Sequence, residues 1–307
     1  MNRYEQITTN LLNDYRAIRQ NGLPQWAVHK IGEDKRNEIV VPTIPFVGKH
    51  YAEQEKRILV YASAEVLTNY CCGEETNRPW LDEDTRAENR HRKCFEESFL
   101  GENPFFPNVH ITPMNSGRLA TAVMYLSGII RGEDVDEPRS FYETIAFGNY
   151  GKFSIETEYQ RIVRENPNLS NRKTLKKEKK NINKDYAGNK DFLSCSHEYI
   201  RSDIDRLKPD YIIMPSVNDK DFLNSILDSS GKKTEVIEIY QMGSQTIHSM
   251  GANGRLNRNN RYKERDIKSL PNIIQEAYEY ISGVNREKYK YLFDYLDKKL
   301  KECGVVK

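Results

Sequence analysis

The chain has few of the residues that would identify a metalloprotein or a disulfide-linked secreted protein. It contains five cysteines in 307 residues. They are Cys71, Cys72, Cys94, Cys195 and Cys303, and no two of them form a CxxC pair. An odd number of cysteines without metal-ligand spacing predicts free thiols in a reducing compartment and argues against a zinc or iron–sulfur site. We therefore expect no metal and no cofactor.

Long apolar runs are also missing from the sequence. No window approaches the roughly 18 consecutive apolar residues that a membrane span requires. Residues 1–19 are polar, with Leu and Ile at helical spacing, and do not resemble a signal peptide. These features predict a cytoplasmic protein that does not contact a membrane, and nothing in the sequence indicates an obligate protein partner.

The charge is nearly balanced over the whole chain but not along it. There are 47 basic and 45 acidic residues, a net charge of +2, so the overall balance does not demand a polyanionic partner. Two segments are basic, however: 166–190, which includes Lys176, Lys177, Lys179 and Lys180, and 255–265, which includes Arg255, Arg258 and Arg261. Such segments can follow a phosphate backbone, although each is equally typical of a solvated charge run.

Short apolar or β-branched runs alternate with helical stretches along the chain. Strands are expected at 57–62, 108–112, 144–147, 210–214 and 234–240, and helices at 4–20, 119–130, 199–207 and, as a pair, 271–300. This order predicts one α/β domain over 1–307 whose single open, mainly parallel sheet has helices on both faces. Segment 166–190 is a basic insertion in that domain.

Polar residues follow three of the predicted strands, where an open α/β sheet collects its active groups. Ser63 and Glu65 follow the first strand, and a carboxylate there can polarise a water or stabilise a cation. Asn149 lies between two glycines, in a turn whose Asn amide can match the edge of a nucleobase. His248 lies in a loop after the last strand and can stabilise an anionic leaving group. Each residue alone also fits a structural role: a helix-start carboxylate, an ordinary turn Asn and a loop His.

Taken in order, these strand ends resemble the uracil-DNA glycosylase superfamily. In that family a polar residue after the first strand activates water and a strand-end Asn reads the flipped base. A His-containing segment contacts the base carbonyl, and an apolar residue in the following loop enters the duplex. The resemblance covers about residues 56–265 and implies a uracil-DNA glycosylase-like fold with insertions.

The resemblance also suggests roles for individual residues of this chain. Catalysis is assigned to His248 and to Glu65 or Ser63, and base reading to Asn149. Phe147, Tyr61 and Trp80 are further base contacts, although a Trp at this position is also typical of a core or surface cover. Leu256 is the wedge, flanked by the basic side chains of 255–265. The sequence departs from the family pattern because no Pro separates His248 from Ser249 and because Leu256 lies farther from its His than usual.

The expected function is that of a monofunctional DNA glycosylase. Such an enzyme flips a base out of DNA and hydrolyses its N-glycosidic bond, leaving an abasic site. The long intervals between strands suggest a bulky substrate, such as a hypermodified pyrimidine of phage DNA, and hence an antiviral defence enzyme. The alternative is a nucleic-acid-binding protein without chemistry that uses the same basic segments.

Overall fold

The computed structural model describes residues 2–21, 42, 44–64, 118–133, 135, 138–153, 190–240, 242, 244–282 and 286–306. Within these residues the chain forms a five-stranded sheet. The strands are β1 (Phe46–Val47), β2 (Ile58–Ala64), β3 (Ile145–Gly151), β4 (Tyr211–Pro215) and β5 (Glu235–Ile239). Every predicted strand that lies in the described residues is present, and the predicted strand 108–112 lies outside them.

The described residues form ten α-helices, some of which the sequence periodicity predicted. They are α1 (Arg3–Gln20), α2 (Arg118–Arg131), α3 (Pro138–Tyr142), α4 (Lys190–Ser194), α5 (His197–Leu207), α6 (Lys220–Ser229), α7 (Ser244–Met250), α8 (Arg255–Asn260), α9 (Asn272–Ser282) and α10 (Arg286–Glu302). The first begins at a capping box, in which the Asn2 side chain accepts from the Glu5 amide and the Glu5 carboxylate accepts from the Asn2 amide. The predicted N-terminal and C-terminal helices are confirmed.

The strand order is β1-β3-β2-β4-β5. Strand β2 pairs in parallel with both β3 and β4, and β4 pairs in parallel with β5, whereas the short β1 runs antiparallel to β3. The sheet is therefore mixed. The prediction of an α/β protein with helices packed on one sheet is confirmed, and the antiparallel edge strand is a feature that the sequence analysis missed because two residues carry too little pattern.

The two faces of the sheet carry separate apolar clusters, because successive side chains of a strand point to opposite sides. On the first face, Val60, Phe147 and Ile213 pack with residues of α2, α7, α9 and α10. On the second face, Leu59 and Ile212 pack with residues of α1, α4, α5 and α6. Helices thus cover both faces, and the continuous apolar runs of β2 and β4 follow from burial on both sides.

Three local predictions need correction. The segment that carries His248 is not a loop but helix α7, and the basic tip that follows it is helix α8. Asn149 is not in a glycine turn, because β3 continues through both flanking glycines to Gly151.

None of the helices in the described residues is long and apolar enough to cross a bilayer. Of the five cysteines, the described Cys195 and Cys303 are free thiols.

Candidate active site

The topology of the four parallel strands indicates where a ligand is expected to bind. From the central β2 the chain goes to β3 on one side and then crosses over to β4 on the other. Helix α2, the next described helix after β2, packs on the first face, whereas α6, which follows β4, packs on the second. In open α/β sheets, ligands bind in a crevice at the carboxyl ends of the strands where the direction of the connections changes, here β2 and β4.

Two of the predicted site residues are described in or after the two outer strands of the parallel set. Asn149 is near the carboxyl end of β3 and is 2% exposed. His248 is exposed on α7, the helix that follows β5. Because β2 and β4 separate β3 from β5, the ends of the two outer strands are about 14 Å apart at the usual strand spacing. Asn149 and the segment that leads to His248 are therefore separated by the width of two strands.

Tyr61 and Phe147 have packing roles in the structure. Both side chains are fully buried. Phe147 is part of the apolar cluster on the first face, and Tyr61 is on the second face with its hydroxyl donating to Asp203 Oδ2 at 2.8 Å. A ring enclosed in this way presents no surface to a base, so core packing replaces the base contact predicted for these two residues.

A buried ionic network lies beneath the edge on the second face. Lys152, just after β3, places its ammonium 2.6 Å from Oδ2 of Asp203 in α5, and the two side chains are 2% and 0% exposed. Tyr15 of α1 donates to Oδ1 of the same carboxylate at 2.8 Å, while Tyr61 shares Oδ2. Burial, followed by the nearby Asp203 charge, raises the pKa of Tyr15 and Tyr61 well above the ordinary tyrosine value. Both phenols therefore remain neutral donors.

A second polar array lies near the carboxyl ends of β3 and β4. Asp219, between β4 and α6, accepts a 2.8 Å hydrogen bond from the Tyr150 hydroxyl of β3. Its Oδ2 is also 3.0 Å from Nε2 of His197, the first residue of α5. The imidazole stacks on Phe222 with ring centroids 3.4 Å apart and planes 2° apart. The Tyr150–Asp219 contact therefore extends from β3 across the end of β2 to the segment after β4.

The described basic residues form an exposed surface around α8. Arg255, Arg258 and Arg261 are all exposed. Arg265, by contrast, is tied to Asp297 at 2.6 Å. Leu256 is half-buried and packs against the apolar cluster of the first face, so in this structure it anchors α8. The sequence predicted that Leu256 lies at the exposed tip of a loop, where it could enter the duplex, and the observed packing differs from that prediction.

The remaining predicted site residues cannot be placed. Glu65, Trp80, Lys176, Lys177, Lys179 and Lys180 lie outside the described residues. Ser63 belongs to β2, but the structure describes only its backbone. The roles predicted for these seven residues therefore stay predictions.

Neither the Lys152–Asp203 network nor the Tyr150–Asp219–His197 array was predicted from the sequence. Asp203 could have been noticed, since it shares the apolar stripe of α5 with Ile200, Ile204 and Leu207, where a carboxylate needs a buried partner. Lys152 likewise stands between the aromatic residues Tyr150 and Phe153. His197 and Asp219 had no such signal, because neither is part of a periodic apolar pattern.

The chain was compared with protein families, curated proteins and solved structures, and no family model, curated protein or solved structure matches it. Among the described residues, no group of three or more His, Cys, Asp or Glu side chains is arranged to hold a metal ion.

Proposed function

We propose that this protein is a monofunctional DNA glycosylase with a uracil-DNA glycosylase-like fold. The observation that carries the proposal is the strand order β3-β2-β4-β5, in which all three pairings are parallel. This order brings the Asn149 strand, the Ser63 strand and the strand before His248 to one edge, although they are distant in sequence. Three strands that carry or precede these motifs end at the same edge of the sheet, which supports the proposal.

In this proposal His248 stabilises the departing base. Its exposure on α7 leaves it accessible to a ligand that enters the crevice. Glu65 or Ser63 acts on the sugar side, after the central strand β2. Asn149 reads the base, a role that requires its buried amide to become accessible. His248 is for this reason the first residue to test.

The DNA backbone would be held by the exposed α8 surface. Arg255, Arg258 and Arg261 supply cations beside α7, the helix of His248. Flipping a base out of the stack costs a few kcal/mol, which phosphate contacts and pocket contacts offset. Each neutralised phosphate adds about 0.9 to the slope of log affinity against log salt concentration. Binding that weakens steeply with salt supports this assignment.

The long interval between Cys71 and Val109 and the basic segment 166–190 favour a substrate larger than uracil. Long insertions near strand ends are usually functional or disordered. We infer a modified pyrimidine, such as a hypermodified base of phage DNA, and an antiviral role in the cytoplasm. The lengths of the two insertions support this step; apart from Lys190, their residues lie outside the described structure.

The test is base release from DNA. The full-length protein is incubated with uracil-containing duplexes and with phage DNAs that carry modified pyrimidines. Small molecules are then identified by mass spectrometry, and abasic sites by strand breakage after alkali. We expect a free base and alkali-labile sites. Salt-sensitive binding with no base release from any substrate would contradict the proposal and favour a nucleic-acid-binding protein without chemistry.

Two histidine variants make the test specific to the proposed site. His248→Ala should lower base release at least about 100-fold while DNA binding stays within about threefold, because loss of leaving-group stabilisation acts on the transition state. His50→Ala is the matched control. His50 is also exposed, but its backbone bonds to Glu143, just before the amino end of β3. Equal loss in both variants would contradict the role of His248.

A further inference from the structure

The Tyr150–Asp219–His197 array has the hydrogen-bond arrangement of a general base and its orienting carboxylate. Asp219 Oδ2 accepts from the Tyr150 hydroxyl at 2.8 Å and lies 3.0 Å from His197 Nε2, while Oδ1 lies 3.2 Å from the same nitrogen. The Asp219 side chain is 8% exposed, so its charge is poorly hydrated by solvent and depends on these two donors. The carboxylate therefore assigns the proton of a neutral His197 to Nε2.

This assignment leaves Nδ1 of His197 with its lone pair. No hydrogen-bond partner for Nδ1 is found within the described part of the chain. The histidine side chain is 28% exposed, and stacking on Phe222 fixes the plane of its ring. An imidazole with one nitrogen bound to a carboxylate and the other open is the arrangement that a histidine base requires.

The array also lies where the fold places a ligand. Asp219 is the residue before α6, on the segment that leaves β4 at the crevice, and Tyr150 reaches it from β3. Tyr61 of β2 meets the Tyr150 ring edge-on, with centroids 5.6 Å apart and planes 90° apart. Tyr150 of β3, packed against Tyr61 of β2, thus holds the carboxylate that orients His197 near the carboxyl ends of β3 and β4.

We propose that His197 is the general base that activates the hydrolytic water, with Asp219 as its positioning residue; this rests on the glycosylase function proposed above. The water oxygen forms the bond to the sugar C1′, and the water proton passes to Nδ1 of His197. The C1′–N bond breaks, and its electron pair leaves with the base, which is then protonated from solvent. In the transition state Glu65 or Ser63 stabilises the positive charge that develops on the sugar, and His248 stabilises the leaving group.

Two substitutions of His197 distinguish a general base from a residue whose hydrogen bond only links α5 to α6. In His197→Gln the side-chain amide can still donate to Asp219, so the link between α5 and α6 is kept, but no basic nitrogen remains. His197→Ala removes both. We expect each variant to lower single-turnover base release at least about 100-fold, since general-base catalysis contributes about 10²- to 10⁴-fold. Affinity for the same DNA should stay within about threefold.

Added imidazole supplies the readout that a structural role would not produce. It should raise the rate of base release by His197→Ala at least about tenfold, because the cavity left by the ring can hold a free imidazole. It should not act on wild type or on His50→Ala. Asp219→Asn should lower release at least about tenfold through the wrong tautomer. Tyr150→Phe, which keeps the Asp219–His197 contact, should lower it less.

The outcomes separate this inference from the proposed function. If wild type releases no base, the glycosylase proposal fails before His197 is tested. If wild type releases base and His197→Gln does so at the wild-type rate, His197 is a structural residue and the inference is overturned. Loss of release together with equal loss of DNA binding, without rescue of His197→Ala by imidazole, would also overturn it.

Discussion

Replacing Lys152 by Met should destabilise the protein far more than the same substitution at the surface. The Lys152 ammonium and the Asp203 carboxylate are 2.6 Å apart and almost completely buried. Removing the ammonium leaves the carboxylate with the Tyr15 and Tyr61 hydroxyls and with no opposite charge. Breaking a buried pair on one side costs about 3 to 5 kcal/mol, because the remaining charge stays desolvated. That is a large part of a typical stability of about 5 to 15 kcal/mol.

The measurement is urea unfolding followed by circular dichroism. With a denaturant dependence of about 3 kcal/mol/M, a loss of about 3 to 5 kcal/mol lowers the midpoint by about 1 to 1.7 M. The matched control is Lys220→Met. Its ammonium lies 2.8 Å from Glu238, but the lysine side chain is 61% exposed. An exposed pair contributes at most about 1 kcal/mol, so the control midpoint should hardly move.

A double variant tests whether the effect comes from the unpaired charge. Lys152→Met combined with Asp203→Asn removes both charges and leaves an amide oxygen that can still accept from a tyrosine. The sum of the single losses should exceed the loss in the double variant by at least about 1 kcal/mol, since contacting residues do not act additively. A loss below about 1 kcal/mol for Lys152→Met alone, equal to that of the surface control, would refute the reasoning.

Two further predictions concern pH and the position of α8. Hydrogen bonding to Arg206 lowers the pKa of Asp14 below its ordinary value of 3.8, so this carboxylate stabilises the fold above that pH and loses the contribution as the pH falls. Asp14→Asn should lower the free energy of unfolding by about 0.5 to 1 kcal/mol at pH 7, because the Asp14–Arg206 pair is partly exposed. In urea unfolding, the difference between wild type and variant should shrink below pH 3.8. A difference that stays constant with pH would contradict this. Gly254→Ala should lower the thermal midpoint, because a Cβ there would lie 2.1 Å from the Ser249 carbonyl oxygen. Gly148→Ala, whose closest contact would be 3.4 Å, is the comparison, and an equal effect of both would contradict the packing argument.

The regular elements were the most predictable part of this protein. The amphipathic spacing of Ile7, Leu11 and Tyr15 predicts α1, and all three residues are buried in one cluster. The apolar run 57–62 likewise predicts a strand buried on both faces. Each pattern is local, since it depends on side chains a few residues apart, and the sequence therefore contains it directly. The ends of elements were less predictable, as the extension of β3 through Gly151 illustrates.

The location of the candidate site stays a prediction, whereas the surroundings of its predicted members were not predictable. Asn149 lies within β3 and His248 within a helix, rather than in the turn and the loop that the sequence indicated. Whether a side chain near that edge is open or enclosed depends on what packs over it. Helices α1 and α5 enclose Tyr61, which the sequence analysis had assigned to base contact. The half-buried His197, by contrast, had no sequence pattern to distinguish it.

The sequence by itself determined the elements with a clear apolar period, such as α1, β2 and β4, and which of their sides are apolar. The tertiary structure alone decided which polar groups meet. Tyr15 and Asp203 are 188 residues apart in the chain, and Lys152 and Asp203 are 51 apart. These contacts depend on the crossover that puts β4 next to β2 and α5 against α1. The periodicity of apolar residues indicates which face of a helix or strand is buried. The partner of a buried charge depends instead on the packing of elements that are distant in sequence.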